Sequence, residues 1–450
     1  MKLNQREVQH LLLRAGFGDS YEVIKSYINK SPDEILEDQF KKGRKPGKVA
    51  IDTSYPNPGN MREMSDQNKQ MMRKQARADI RTLNTLWVKE MVNAPSSLNE
   101  KMAFFWHDHF ACKSQNPIFM QGYLDAIRKE ALGNFGDLLR AISKSPAMLQ
   151  YLNNQQNRKQ APNENFAREV MELFTLGRDQ NYNEKDISEA ARAFTGWSFD
   201  SEGNFMERSK WHDEGTKSIL GKIGNFKGDD VLDLLLKNMQ TARYISQKWV
   251  AYFVNHEGNT ELERKVADAL YNSDYDIKTG LKVMFFSDEF YKHQNIGSRI
   301  KSPIELIVSM QRQLQVSIED EDSLIFLQRM MGQVLFDPPN VAGWPDGKDW
   351  VDSASLMFRV NLPELVFKAA VIQNQPEASF DDNDQFKIRG RLSRLETRLD
   401  LDTLKSSFEN DSAAALEQFL LQDHTQGINV PSEFLDQIVY FTSKPEYQLC

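Results

Sequence analysis

The chain has 450 residues, 64 of them acidic against 56 basic for a formal charge of −8, and 40% are hydrophobic. That length buries a substantial core, either as one large helical domain or as two or three average ones. The charges are spread rather than gathered, so no basic stripe exists to neutralise phosphates, which argues against a nucleic-acid partner. Only Cys112 and Cys450 are present, which excludes a disulfide framework and lacks zinc-site spacing, and no run approaches the roughly eighteen apolar residues of a membrane span.

The amino terminus, Met1 to Glu7, leads directly into an amphipathic pattern from Arg6 to Ala15, with no room for the apolar core of a secretory signal. As given, the chain reads as cytoplasmic, and as extracytoplasmic if a leader has been removed. In this first pattern His10 and Arg14 lie on adjacent turns opposite Val8, Leu11, Leu12 and Ala15, as a polar edge, with Glu164 or an anion as a possible partner of Arg14. Lys41 to Asn60 carries Gly43, Pro46, Gly47, Pro56, Pro58 and Gly59 and reads as an exposed loop.

A long charged helix is predicted over about Met61 to Met91. Ser97 and Glu100 have the spacing of a capping box for a helix over Leu98 to Phe110, and Asn183 with Asp186 plays the same part before Ile187 to Thr195. Gly196 suits the end of that helix. Ser198 to Gly228 departs from helical periodicity, and Asn204 to Arg208 is expected to pair with Ser218 to Ile223 as a small hairpin. Helices resume from Asp229 to Glu289, and Lys301-Ser302-Pro303 opens another with proline at an early helical position. A proline-rich loop follows at Phe336 to Gly347, where Trp344 and the nearby Trp350 either stack on a ligand or plug the core. Polar Gln373 to Asp384 reads as a linker, and the tail from Phe386 as helical. The expected architecture is mainly α, a large multi-helix domain over 1–372 with a small β-hairpin excursion at about 198–228, and a helical extension over 385–450 packed on it.

The candidate chemistry lies in three places. In the helix expected over Glu164 to Gly177, stepping about 100° per residue puts Phe166, Val170, Leu173, Phe174 and Leu176 on one apolar arc with Glu169 between Leu173 and Leu176. A carboxylate there needs a histidine, an arginine or a cation. In Phe105-Trp106-His107-Asp108-His109-Phe110, His109 falls on the apolar face and His107 about 160° away. His109 with Glu169 is therefore a candidate half-site for a divalent metal, or a neutral histidine hydrogen-bonded to that carboxylate. His107, and His212-Asp213 in the hairpin region, are further candidate ligands, although a histidine in such a turn also reads as simple surface. Asn163 or Asn165 caps the Glu164 helix, Arg168 and Glu172 can pair four apart, and Cys112 reads as an inert buried thiol.

These segments, with His10 to Gly18, Ser145-Pro146-Ala147-Met148-Leu149, Thr195-Gly196-Trp197, Lys301-Ser302-Pro303 and Val341-Ala342-Gly343-Trp344-Pro345, resemble the bacterial family called domain of unknown function 1800 over nearly the whole chain. The closing Ser443 to Cys450 also resembles that family's usual carboxyl end. The resemblance implies a large, mainly helical protein without an established reaction, and a partner from the domain of unknown function 1501 family, whose members look like the sulfatase and alkaline-phosphatase group. Two functions follow as expectations: a binding or assembly module working with such a partner, or a metal-dependent hydrolase or oxidoreductase using His109 and Glu169, with His107, His212 and Asp213 as further candidate ligands.

Overall fold

The computed structural model describes residues 1–43, 46–53, 64–374, 395–408, 413–422 and 430–450, and side chains of the Ser353–Asn374 helix as far as residue 368. It is mainly helical, with short two-stranded antiparallel pairs. No helix among the described residues is long and apolar enough to cross a membrane.

The helix Gln5–Arg14 starts where Asn4 accepts the Glu7 amide proton and Glu7 reaches back to the Asn4 amide, a reciprocal cap worth about 1 kcal/mol. Its expected polar edge is buried instead. His10 Nε2 donates to the Phe290 carbonyl, and Arg14 donates to the carbonyls of Val254 and Asn295 and to the Ser298 hydroxyl rather than to Glu164. Both carbonyls, which the Ser298 hydroxyl also reaches, lie at turns of the chain, and a guanidinium is the side chain that reaches several acceptors at once.

The centre of the molecule is the helix Leu98–His109, in which every residue except Asp108 is buried. Trp106 packs against Phe135 and Trp249, and its indole N–H donates to the Ala131 carbonyl at 3.1 Å. A helix enclosed on all sides belongs to the interior of a large domain. Its predicted capping box is not formed: Ser97 has helical dihedrals, and its hydroxyl accepts from the Phe17 amide. Glu100 turns inward to accept from the Trp87 indole and Arg128. The box at Asn183 and Asp186 is formed, as is the one at Ser302 and Glu305 with Pro303 first in its helix. Asn163 caps the Glu164–Glu169 helix.

The hairpin region contains two hairpins, not one. Trp197–Phe199 pairs with Phe205–Glu207, and Lys217–Ile219 with Lys222–Gly224. Leu220 and Gly221 both take positive φ, 52° and 74°, the geometry of a two-residue turn whose twist matches its strands, so local closure wins over the longer pairing. Further on, Met239–Phe253 packs against Thr260–Asn272, which packs against Ile277–Phe285. The carboxyl-terminal part returns to the body: Thr397–Arg398 pairs with Ser317–Ile318, and Leu449 bridges to Ile300. The Lys41 to Asn60 loop is described only in part; Val49 within it is buried, and Gln121 bonds its carbonyl and the Ile51 amide. The Gln373 to Asp384 linker lies outside the described residues from position 375 on.

Candidate polar cleft at Asp108 and Lys248

Asp108 occupies the last turn of the Leu98–His109 helix, where the unpaired carbonyls of the helix end disfavour a negative charge. Two elements meet it. The loop from Phe336 to Gly347 passes across the helix end, and the Trp344 amide donates to Asp108 Oδ1 at 2.8 Å. Gly343 has φ +92°, and a Cβ there would lie 2.8 Å from the Asp108 carbonyl oxygen, so only glycine lets the loop come this close. From the other side, Met239–Phe253 presents Lys248, whose ammonium acts on Asp108 from beyond ion-pair distance. Burial pushes the Asp108 carboxyl up to about 6 despite Lys248 and the Trp344 amide, and burial likewise lowers Lys248 despite Asp108. Both residues are partly exposed, so solvent reaches this pair.

His109 completes the group and has only one possible tautomer. Its Nε2 lies 3.1 Å from the Phe174 carbonyl, which can only accept, so the proton is on Nε2. Nδ1 is then a lone pair, and it accepts from Lys248 Nζ at 3.3 Å. Burial, with Lys248 beside it, holds His109 well below the usual histidine range. The Phe174 carbonyl comes from a widened, π-helical turn over Val170–Thr175, in which Leu176 N–H donates to Met171. Such turns are frequent at functional sites.

Beneath the pair lies a closed ionic network. Glu305 accepts from Lys101, from Arg299 at 2.7 and 2.9 Å, from the Ser302 amide at 2.7 Å and from the Tyr252 hydroxyl at 3.2 Å. Burial alone would raise this carboxyl, but Arg299 and Lys101 hold it well below the ordinary carboxylate range. Arg299 also lies over the Tyr252 ring at 4.1 Å and reaches Asp346 of the loop at 3.4 Å. One residue set thus ties the central helix, the Pro303–Leu314 helix and the loop together.

The residues singled out from sequence fare differently. His107 is buried among Trp87, Tyr123, Phe336 and Trp344, its Nε2 accepts from the Phe336 amide at 3.2 Å, and burial lowers it to about 3. Glu169 is half-buried and makes no ion pair or hydrogen bond with a described residue; burial and Glu172 raise its carboxyl. The expectation of a buried, paired Glu169 fails because the π-helical turn begins at Val170, so the 100° step no longer projects the residues beyond it. Met171, which that step places outside the apolar arc, is fully buried. His212 is not surface either: it is 1% exposed, and its Nδ1 donates to the Thr195 carbonyl at 2.9 Å. Asp213 is held by Arg192 at 2.8 and 3.1 Å. Arg168 joins Glu172, as expected, and also Glu164 and Glu184. Trp344 and Trp350 are buried, Trp344 against the His107 ring, so neither is free to stack on a ligand. Cys112 is buried, which pushes its thiol up. Among the described residues no three His, Cys, Asp or Glu side chains converge to hold a metal ion.

Sequence reasoning missed Lys248, Asp108 and the Glu305 network. A signal existed: Lys101 falls on the same stripe as Phe105 and His109, and Tyr244, Lys248 and Tyr252 form an i, i+4, i+8 line beside Ile245 and Trp249. A cation inside an apolar stripe asks for a partner as surely as a carboxylate does.

The markers from the Phe105–Phe110 run, Lys301-Ser302-Pro303, the Val341–Pro345 loop and, through the Phe174 carbonyl, the Glu164–Gly177 segment all reach this cleft. No curated protein and no solved structure matches the chain. A family model described as protein of unknown function DUF1800 matches residues 10–449. The chain therefore belongs to the domain of unknown function 1800 family.

Proposed function

We propose that the chain is a binding or assembly module that engages a partner protein through the Phe336–Gly347 loop and the cleft beneath it. The observation that carries this reading is a loop with a fixed root and an open crest. Its root is bonded by Phe336 to His107, by Trp344 to Asp108 and by Asp346 to Arg299, while Asp337, Pro339, Asn340, Ala342 and Pro345 are exposed. Irregular segments of this length on a rigid scaffold are where recognition concentrates. The partner is taken to be a protein of the domain of unknown function 1501 family, as the sequence resemblance implies. The alternative, a metal-dependent hydrolase or oxidoreductase at His109 and Glu169, draws no support from the geometry: both His109 nitrogens are engaged and Glu169 meets neither.

The test is titration calorimetry of the full chain against a purified partner of that family, with Asn340→Arg and Pro345→Arg as loop variants. Binding should weaken at least about tenfold in both, roughly 1.4 kcal/mol, with thermal unfolding unchanged. Equal affinity in wild type and variants, or no binding by wild type, would sink the reading.

A further inference from the structure

The cleft holds a side chain that recognition by itself does not require. Lys248 Nζ gives one N–H to His109 Nδ1 at 3.3 Å, and that lone pair is fixed because the His109 proton is committed to the Phe174 carbonyl. The amine is therefore oriented by a group that can only accept. Lys248 is partly exposed, with Asp108 acting on it from beyond ion-pair distance and the Tyr244 ring centroid 5.5 Å from Nζ. Among the described residues no carboxylate pairs with it within ion-pair distance, unlike Lys101 with Glu305 one layer below. Lysines relieved of their charge by an apolar pocket are amine nucleophiles, and a neighbouring carboxyl that titrates near neutrality is the matching acid.

We propose that Lys248 is a reactive amine that captures an aldehyde or ketone carbonyl as an imine, with Asp108 moving the protons. The neutral amine adds to the carbonyl carbon, forming the C–N bond, while the carbonyl oxygen takes the Asp108 proton. The Asp108 carboxylate then removes a proton from nitrogen and returns it to the hydroxyl. The C–O bond breaks, water leaves, and the nitrogen lone pair closes the C=N bond. In sum, amine, carbonyl and the Asp108 proton become iminium, water and Asp108 carboxylate, which remains as counter-ion. Burial raises Asp108 to about 6 and lowers Lys248, which shifts each group toward the form the step uses. This inference rests on the reading of the cleft as the recognition site, and names the chemical group it receives.

The experiment treats the full chain with glycolaldehyde and cyanoborohydride at pH 7 and follows each lysine by peptide mass mapping. Lys248 is expected to label about tenfold faster than exposed Lys185, Lys237 and Lys265, as a desolvated nucleophile should. Asp108→Asn, checked for unchanged thermal unfolding, should slow Lys248 about fivefold or more and leave the exposed lysines alone. A purely structural Lys248 would label no faster than those lysines, or be indifferent to Asp108→Asn, and either outcome overturns the proposal. Labelling reads the amine without any partner protein, whereas the loop variants read partner binding without the amine, so failure of one is distinguishable from failure of the other.

Discussion

Two regions of this molecule use the same side-chain types to opposite ends. Around Thr195 and Asp213 the charged side chains have nearby partners, while His212 Nε2 is buried without a hydrogen bond among the described residues. His212 is tied to the Thr195 carbonyl, Asp213 to Arg192 and to the Gly215 amide, and Lys217 to the Asp213 and Gly215 carbonyls. Around Asp108 the arrangement stops short of completion: Asp108 and Lys248 influence each other without pairing, and both are partly open to solvent. Satisfied groups fasten a fold, while a poised pair has free valences left for a ligand. The difference is one of geometry, since histidine and aspartate stand side by side in both places.

Breaking the deepest layer under the cleft should have the largest effect. Glu305→Leu strands Lys101 without a counter-ion and leaves Arg299 only its longer contact to Asp346, and urea unfolding at pH 7 should show a loss of about 3–5 kcal/mol. In the second region, with its partly exposed ion pair, Asp213→Asn should cost only about 1 kcal/mol by the same measurement. Between these lies an acid effect confined to the central helix. His107 is neutral in the fold and lowered to about 3, so its contribution is complete above pH 6.5 and is lost as pH falls toward 3. It should tilt stability by about 1.4 kcal/mol per pH unit in that window, and His107→Gln should remove that slope. Asp108 works with the opposite sign. Its raised carboxyl adds stability that is complete below about pH 4 and disappears as pH rises through about 6. Asp108→Asn should erase that fall in a pH series and be no less stable than wild type at pH 7. The smallest effect is expected at Glu169: half-buried and unpaired, it should tolerate Gln within about 0.5 kcal/mol. A large loss there would mean a partner that the geometry does not provide.

Helical class, the cap at Asn183, the helix opened at Pro303, and the separate character of the Ser198 to Gly228 stretch were legible, because each is written in residues close along the chain. What was not legible depends on distant chain. Ser97 has the spacing of a cap but is drawn instead to the Phe17 amide, 80 positions earlier, and His10 and Arg14 look peripheral until later segments close over them. The Glu169 projection assumed an unbroken α-helix, and no local residue pattern announced the widened turn that begins at Val170. Of the cleft, the His107 to His109 run and the Val341 to Pro345 loop stood out early, while Lys248 did not, since a lysine in an amphipathic helix ordinarily reads as solvent-facing.

Gly343 also has a consequence for timing. The Trp344 amide and Asp108 are 236 positions apart in the chain, so closing their bond in an unfolded chain carries a large loop-closure cost, which is relieved when the intervening segment is already folded. Contacts of such sequence separation form late, and a surface loop tied by a few of them reopens without the body unfolding. The Trp344 amide hydrogen should therefore exchange with deuterium through a local opening, sooner than the amides of Trp106 and Phe110, whose release requires the interior to come apart. Its rate would serve as a direct clock for how often the cleft loses its roof.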